Sequence, residues 1–318
     1  MKIAEILKNT KKTHFSFEIV PPLVGHSAKS LYEKIELLTE FNPLNINITY
    51  HQDETVYKQI ENDVMSKKLV RKRPGTVALA AAIRNRFPSV TTVPHLICGG
   101  MTKQDIENIL IDLNFLEIEN ILLLRGDAPK GERYFIPEPG GYAHTDEMVK
   151  QIMNLNKGIY LDQDLKNTEA TNFSVGVAGY PEKHAEAPNF ETDMHYLKAK
   201  VDAGADYIVT QMFFDNAKFF EWERRCREAG INVPIIPGIK PIGKKRDLDV
   251  IPLTFHLDIP ADLANAVQNA KDDAAVYQIG IEWAINQSRE LMKHGVPALH
   301  YFSVGRTENV REIAKAVF

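Results

Sequence analysis

The sequence has little cysteine and no long apolar run. Only two of its 318 residues are cysteines, Cys98 and Cys226, and they lie far apart in the chain. They form neither a disulfide framework nor a metal-binding pattern, which indicates a reducing compartment. No apolar run approaches the ~20 residues that a membrane-spanning helix needs. Because Ile3, Ile6 and Leu7 share a helical face among charged residues, the N-terminus predicts a short amphipathic helix, not a signal peptide. We therefore expect a cytoplasmic protein.

The sequence also lacks an excess of charge of either sign. Its formal net charge is −4, and 44% of its residues are apolar, so it has ample material for a core. This balance gives no reason to expect nucleic acid or an anionic membrane as a partner. Lysine and arginine cluster in the run KKLVRKR at residues 67–73. We interpret this run as the solvated end of a helix.

Eight apolar segments alternate with helical patterns along the chain. The predicted strands are 15–20, 45–50, 92–97, 120–124, 174–178, 206–211, 234–239 and 298–303. Several are uninterrupted apolar runs, which are typical of strands buried on both faces. Residues 76–80 compete with the third segment for assignment as a strand. Helical patterns cover 30–41, 103–118 and 191–203, and residues 130–145 and 155–172 predict long loops.

Alternating strands and helices admit either a closed (β/α)8 barrel or an open doubly wound sheet. An open sheet that binds a dinucleotide carries a G-x-G-x-x-G fingerprint after its first strand. Here the first strand ends in Pro21-Pro22, and the fingerprint occurs nowhere in the chain. We therefore predict an α/β fold that consists of a single (β/α)8 TIM barrel.

Several predicted strands end in polar residues, and the active site of a (β/α)8 barrel lies at the carboxyl ends of its strands. Glu18 lies within the first strand and shares a face with Ser16 and Val20. A carboxyl group that faces the barrel interior loses hydration, and the resulting rise in its pKa suits a general acid. A salt-bridged or solvated glutamate at an irregular strand end explains the residue equally well.

Candidate residues occur at four other places, each at or beyond a strand end or in the helix that follows a strand. His95 alone is more simply interpreted as a hydrogen-bonded core histidine. Asp193 and Lys200 are seven residues apart, and this spacing alone favours a solvated ion pair on one helix face. Gln211 offers a donor and an acceptor to a planar heterocycle. Arg306 fits either a bidentate clamp on a carboxylate or a structural role.

The predicted strand 120–124 runs directly into Arg125, Gly126 and Asp127. The tripeptide RGD also mediates adhesion, but adhesion requires an exposed extracellular loop, whereas this one follows a buried strand. The charge pair at the tip of this strand lies where the active site of a (β/α)8 barrel is found.

Taken together, these stretches resemble the catalytic domain of methylenetetrahydrofolate reductases. The matching pieces occur in the family's order from about residue 15 to residue 306: FSFEIVPP, NITY, TVPHLIC, LLLRGDAP, GYPEKH, VDAGADYIVTQMFFD, IIPGIKPI and LHYFSVGR. The resemblance implies a (β/α)8 barrel that holds FAD across its strand ends, without a Rossmann turn. It also implies ping-pong reduction of 5,10-methylenetetrahydrofolate to 5-methyltetrahydrofolate by NAD(P)H, with NADH the favoured reductant.

The resemblance assigns roles to individual positions. Glu18 is the implied general acid, which opens the five-membered ring of the folate to an iminium, and Asp127 is the implied aspartate beside flavin and folate. We therefore expect a neutral Glu18 and an ionised Asp127, whose charge favours the cationic iminium. The implied flavin contacts are Thr49, His95, Leu124, Arg125, Gly126, Asp127, Tyr142, Ala143, Ala178, Tyr180, His184, Asp193 and Lys200. The implied folate contacts are Glu18, Asp127, Gln211 and Arg306.

The chain departs from the family pattern in places. Tyr196 and Ala199 stand where relatives carry Asn and Arg, and residues 51–53 (His-Gln-Asp) stand where small residues are common. After PGIKPI, Ile251 and Leu253 are candidates for the apolar residue that stacks on nicotinamide or folate. We expect one catalytic domain over residues 1–318 without a regulatory domain, a homo-oligomer, as relatives commonly self-associate, and no need for a metal.

Two alternatives remain open. One is a different flavin-dependent barrel enzyme, such as a proline dehydrogenase. The other is a barrel that binds folate or flavin without turnover. The joint presence of Glu18, Asp127 and Gln211 argues against the second, because binding alone does not need a buried acid.

Overall fold

The computed structural model describes residues 2–60, 64–128, 132, 134–303, 305 and 307–318. Within these ranges the strands are β1 (His14–Ile19), β2 (Asn45–Ile48), β3 (Glu54–Gln59), β4 (Met65–Val70), β5 (Thr91–Ile97), β6 (Asn120–Leu124), β7 (Ser174–Gly179), β8 (Tyr207–Met212), β9 (Ile235–Ile239) and β10 (Ala298–Phe302). The helices are α1 (Ile3–Asn9), α2 (Ala28–Thr39), α3 (Thr76–Arg86), α4 (Lys103–Phe115), α5 (Thr145–Leu155), α6 (Phe190–Asp202), α7 (Asn216–Glu228), α8 (Asp247–Phe255), α9 (Ala261–Asn269), α10 (Asp273–His294) and α11 (Thr307–Val317).

Eight of these strands form a closed parallel barrel in the order β1-β10-β9-β8-β7-β6-β5-β2. This confirms the predicted (β/α)8 barrel, and all eight predicted strands lie in it with shifts of at most two residues at their ends. The helices predicted at 30–41, 103–118 and 191–203 correspond to α2, α4 and α6. Residues 76–80 lie in α3, so the competing strand assignment is wrong. Among the described helices, none is long and apolar enough to cross a membrane.

Alternate residues of each barrel strand meet two different environments. In β1, Phe15, Phe17 and Ile19 pack into the large apolar cluster that joins the strands to the surrounding helices. Ser16 and Glu18 therefore point into the barrel, because successive side chains of a strand face opposite sides. This alternation brings a carboxyl group into the interior of the protein.

Helix α1 closes the amino-terminal end of the barrel. Ile3 and Leu7 are buried in a second apolar cluster, together with inward-facing residues such as Leu122 and Tyr207. The backbone N–H of Ile3 donates a hydrogen bond to Asn120 Oδ1 at 2.9 Å, which fixes the helix at the start of β6. The amino-terminal half of the barrel, here called its lower half, is therefore filled with apolar side chains. Polar side chains lie towards the carboxyl ends of the strands.

A two-stranded hairpin lies outside the predicted strands. β3 and β4 form a separate antiparallel hairpin between β2 and α3. The interpretation of KKLVRKR as a helix end is wrong, because its first residues belong to β4 and the rest lead into α3. The sequences of β3 and β4, ETVYKQ and MSKKLV, are interrupted by polar residues, so they lack the apolar signal by which the barrel strands were recognised.

Helices α8, α9 and α10 lie between β9 and β10 and enclose a third apolar cluster. Of the two candidate stacking residues, Ile251 is buried in this cluster beside Met212 and Phe214. Leu253 is 78% exposed. The predicted loop 155–172 lies between α5 and β7, and the predicted loop 130–145 lies partly outside the described residues.

Leu7→Ala tests the role of α1 as the closure of the barrel. Loss of a buried leucine side chain is expected to lower the free energy of unfolding by about 2–4 kcal/mol, since the cluster cannot collapse fully around the cavity. Chemical denaturation measures this change. Lys8→Ala is the matched control, because Lys8 is exposed on the same helix. Equal denaturation midpoints for the two variants would contradict the proposed packing role.

Candidate active site

Glu18 lies near the carboxyl end of β1, inside the barrel, and is 8% exposed. In register it stands between Asn47 on β2 and Phe302 on β10, and Ser303 Oγ donates a hydrogen bond to its carbonyl oxygen at 2.7 Å. Burial raises the pKa of its carboxyl group to about 8, although the positive charge of Lys240 acts in the opposite direction. The solvated interpretation of Glu18 is therefore wrong, and the expected neutral acid is consistent with this environment.

Two buried histidines share the barrel interior with Glu18. His300 Nδ1 lies 3.0 Å from Ser16 Oγ, within hydrogen-bond distance. Burial lowers the pKa of both His95 and His300 to about 3, so both imidazoles are neutral near pH 7. His95 Nε2 is buried and has no hydrogen-bond partner among the described residues. An unpartnered buried nitrogen is costly, and a bound ligand would offset that cost.

The RGD turn after β6 lies at the barrel mouth. Arg125 forms a bidentate ion pair with Glu186, at 2.8 and 2.7 Å, and its guanidinium group lies 4.7 Å from the centre of the Phe135 ring. Gly126 has φ +89°, a conformation that favours glycine. Asp127 is exposed. Burial raises the pKa of Tyr180 and lowers the pKa of His184 to about 4, and the negative charge of Asp127 makes a smaller, upward contribution to both.

The segment after β7 and helix α6 form the neighbouring part of the mouth. Lys200 Nζ donates a hydrogen bond to the Ala178 carbonyl oxygen at 2.5 Å, and burial lowers the pKa of Lys200 to about 8. Asp193 is also buried, which raises the pKa of its carboxyl group. The interpretation of Asp193 and Lys200 as a solvated ion pair is therefore wrong. The rings of Tyr180 and His184 meet edge to face at 4.7 Å.

Two further strand ends carry predicted site residues. After β2, Thr49 Oγ1 donates a hydrogen bond to the Ile19 carbonyl oxygen at 3.3 Å and lies 3.2 Å from His51 Nε2. At the end of β8, Gln211 is half-buried, and its Oε1 accepts a hydrogen bond from the Met212 N–H at 3.0 Å. The side-chain amide N–H groups of Gln211 are not used in that bond and can donate to other partners.

The remaining predicted positions differ in exposure. Leu124 and Ala143 are half-buried, whereas Tyr142 is buried beside Lys103, whose Nζ lies 5.0 Å from the ring centre. Arg306 lies outside the described residues, so its proposed folate contact rests on the sequence alone. Tyr196, one of the departures from the family pattern, is partly exposed and stacks on the ring of His144 at 4.9 Å.

Four residues that complete this mouth were not among the predicted site residues. Glu186 and Phe135 hold Arg125, Gln52 lies over the RGD turn, and Lys240 acts on Glu18. A Cβ atom placed on Gly99 would lie 1.9 Å from Gln52 Nε2. Three of them had a signal in the sequence: Lys240 lies within the IIPGIKPI motif, Glu186 follows the GYPEKH motif, and Gln52 belongs to the departure at residues 51–53.

A cavity of about 580 Å³ lies elsewhere, between the start of α7 and helices α8 and α9. Lys218, Asp249 and Pro260 are among its lining residues, and none of the predicted site residues lines it. Within the described ranges, no group of three or more histidine, cysteine, aspartate or glutamate side chains could hold a metal ion. The strand ends of the barrel, and not this cavity, therefore bring the candidate chemistry together.

This arrangement places a protonated carboxylic acid inside the barrel and a carboxylate at its mouth. Glu18 can donate a proton near neutral pH, because its pKa lies close to that range. Asp127 can stabilise positive charge that develops on a bound substrate. The unpartnered Nε2 of His95 and the basic side chains of Arg125 and Lys200 can hold an anionic or heterocyclic ligand between them.

Comparison with known proteins places the chain in a defined group. The family model for methylenetetrahydrofolate reductase matches residues 2–317. The chain is 32% identical over 317 residues to methylenetetrahydrofolate reductase (NADH) 1 of Arabidopsis thaliana, covering 96% of the chain and 48% of the relative. It is 31% identical over 315 residues to the probable methylenetetrahydrofolate reductase (NADPH) of Caenorhabditis elegans, covering 98% and 43%. It therefore spans about half the length of these two relatives.

Two other similarities cover most of both chains. The chain is 29% identical over 294 residues to 5,10-methylenetetrahydrofolate reductase of Escherichia coli, covering 92% of the chain and 86% of the relative. Among solved structures, an uncharacterized protein from Clostridium thermocellum that binds two copies of 5-methyl-5,6,7,8-tetrahydrofolic acid superposes with a TM-score of 0.56. That comparison has 14% identity and covers 98% of this chain and 97% of the other, so it supports the fold.

Glu18→Gln tests the burial of this carboxyl group without any ligand. Because its pKa is raised from 4.5 to about 8, Glu18 contributes stability that is fully present below pH 4.5 and is lost as pH rises to about 8. The variant is therefore expected to gain stability relative to the wild type across that window, by at most roughly 5 kcal/mol. Urea denaturation at pH 5 and pH 8 measures the difference.

Glu36→Gln is the control for this titration, because Glu36 is exposed on α2. Its stability should follow that of the wild type at both pH values. A stability difference between Glu18→Gln and wild type that is independent of pH would contradict a buried, neutral Glu18.

Proposed function

The chain belongs to the methylenetetrahydrofolate reductase family, and we propose that it reduces 5,10-methylenetetrahydrofolate to 5-methyltetrahydrofolate with NADH or NADPH. The observation that carries this proposal is Glu18, a buried carboxylic acid at the carboxyl end of β1, with a pKa of about 8. Reduction of this folate requires a proton donor at a ring nitrogen, and a glutamate with this pKa holds its proton at neutral pH.

The proposal includes FAD, which when bound carries hydride from the nicotinamide to the folate. The residues present fit such a group. His95 Nε2 is a buried atom without a partner among the described residues, and a flavin heteroatom would satisfy it. Arg125 and Lys200 supply positive charge near the mouth, and the ring of Tyr180 lies 6.0 Å from Lys200 Nζ. We propose that these four side chains hold the cofactor.

Glu18 has the task of moving the proton. Its carboxyl group donates to a nitrogen of the five-membered folate ring, and the ring opens to an iminium cation. The apolar lower half of the barrel excludes water from below the acid, so the proton passes to the folate and not to solvent. After the folate has left, the carboxylate recovers a proton from solvent at the mouth.

Asp127 and Gln211 complete the proposed folate site. Asp127 lies after β6, across the mouth from Glu18, and its negative charge stabilises the iminium cation. The side-chain amide N–H of Gln211 donates a hydrogen bond to the heterocycle of the folate. Because nicotinamide and folate both need access to the same hydride carrier, we propose that they occupy this face of the barrel in turn.

The proposal is tested by an absorption spectrum of the purified full chain, followed anaerobically by NADH and then methylenetetrahydrofolate. We expect flavin bands that bleach with the nicotinamide and return with the folate. NADPH in place of NADH distinguishes the two reductants. A protein that binds no added FAD, or a reduced flavin that the folate does not reoxidise, would contradict the proposed function. Oxidation of proline without folate activity would favour the alternative barrel enzyme.

Glu18→Gln is expected to separate the two half-reactions. The variant should bind flavin and be reduced by NADH as the wild type is, because neither step needs the proton of Glu18. Reoxidation by the folate should slow by about 10²–10⁴-fold, the usual contribution of a positioned general acid. Anaerobic stopped-flow absorbance measures both rates. Folate-dependent reoxidation at the wild-type rate would refute the role of Glu18.

Asp127→Asn removes the carboxylate but keeps its shape. Reoxidation by folate is expected to slow by roughly 10–10²-fold, since the cationic iminium loses an electrostatic partner. The dissociation constant of the product 5-methyltetrahydrofolate, which carries no iminium charge, should change much less. Stopped-flow kinetics and fluorescence titration measure the two quantities. A variant that weakens product binding as strongly as it slows the reaction would indicate a role in binding only.

A further inference from the structure

Lys240 lies on the inner face of the barrel at the level of Glu18. The register pairs Glu18 with Phe302, and Tyr301 with Ile239, so the residue after Ile239 is level with Phe302 and Glu18. Ile239 is fully buried in the outer apolar cluster. Lys240 therefore points to the opposite side of β9, into the mouth of the barrel.

Glu18 and Lys240 stand two strands apart on this level. Neighbouring strands lie about 4.8 Å apart, so the two backbones are separated by roughly 10 Å, within reach of a long lysine side chain. Phe302 lies between them on β10, and its ring leans over β9, where a Cβ atom on Gly238 would lie 2.4 Å from Phe302 Cε2. The space between the Glu18 carboxyl group and the Lys240 ammonium group is therefore occupied partly by the Phe302 ring and not by bulk water.

Among the residues that the structure describes, the other side chains that line the barrel around Glu18 carry no charge near pH 7. Asn47 stands beside it on β2, and His300 lies below it on β10. His95 on β5 and Gln211 on β8 complete the inner surface towards the mouth. Both histidines are neutral because burial lowers their pKa values to about 3. The positive charge that acts on the Glu18 carboxyl group is that of Lys240.

We propose that Lys240 is a positioning residue for the general acid: its ammonium group stabilises the Glu18 carboxylate that forms when the proton leaves. Its catalytic part rests on the proposed function. Burial alone holds a carboxylic acid in its protonated form and makes it a poor proton donor. A cation on the same level offsets part of that effect and keeps the acid close to the pH at which it works. Burial and Lys240 therefore set the strength of the acid together.

The direct test measures the titration of Glu18 in the full chain without cofactor. The protein is labelled with ¹³C at the glutamate side chain, and the Glu18 carboxyl signal is assigned by its absence in Glu18→Gln. Lys240→Met removes the charge and keeps the length of the side chain, whereas Lys240→Arg keeps the charge. Lys29→Met is the control, because it removes an exposed lysine from α2.

We expect the pKa of Glu18 to rise by roughly one unit in Lys240→Met, since a positive charge at this distance is worth about that much. Lys240→Arg and Lys29→Met should titrate as the wild type does. Equal pKa values in all variants, or the same shift in Lys240→Arg as in Lys240→Met, would overturn the proposal. If Lys240→Met does not fold, Lys240→Gln is titrated in its place with the same expected shift.

The second measurement is the pH dependence of flavin reoxidation by methylenetetrahydrofolate. The alkaline limb of this profile reports deprotonation of the general acid, so it should move to higher pH by the same shift in Lys240→Met. A limb that stays in place while the Glu18 titration moves would overturn the catalytic part. If the wild type does not react with the folate at all, the proposed function fails, and the carboxyl titration still decides whether Lys240 acts on Glu18.

Discussion

The removal of water from one carboxyl group is the interaction on which the rest of the site depends. Glu18 is buried because β1 alternates Phe15, Phe17 and Ile19 outwards with Ser16 and Glu18 inwards. Its surroundings stay dry because α1 and the second apolar cluster fill the barrel beneath it. The acid is therefore a property of the closed fold, and no local motif could produce it. An exposed glutamate with the same neighbours in sequence would be ionised near pH 7.

The opposite part of the mouth handles charge differently. Between β6 and α6 the charged side chains have close partners: Arg125 meets Glu186, and Lys200 donates to the Ala178 carbonyl oxygen. These contacts hold cations at the rim, where Asp127 is exposed. The barrel mouth thus combines a region that suppresses charge, around Glu18, with a region that arranges it. Proton donation and stabilisation of a cation need these two environments side by side.

The sequence predicted the barrel well because several of its strands are uninterrupted apolar runs, and that signal is local. It also identified Glu18, since a glutamate within such a run is conspicuous. It failed for β3 and β4, whose polar residues carry no burial pattern. For Asp193 and Lys200 the spacing alone also failed, because it fits a solvated helix face equally well, and only the family resemblance singled them out. Which face of α6 meets the barrel is decided by packing between distant segments, so spacing within the helix could not reveal it. Glu186 and Lys240 were missed for the same reason.

Asp193 and Lys200 on α6 are charged residues removed from water, and this needs a physical explanation. Desolvation of Asp193, which is buried, and of Lys200, which is half-buried, costs free energy, as the raised pKa of the aspartate and the lowered pKa of the lysine indicate. An apolar pair would pack at this position at no such cost, so stability alone does not explain these residues. A site that receives an anionic ligand would account for Lys200, because a lysine held by a backbone carbonyl is already oriented before the ligand arrives. The same reasoning applies to His95, because a heteroatom of a ligand would satisfy its buried Nε2, which has no partner among the described residues.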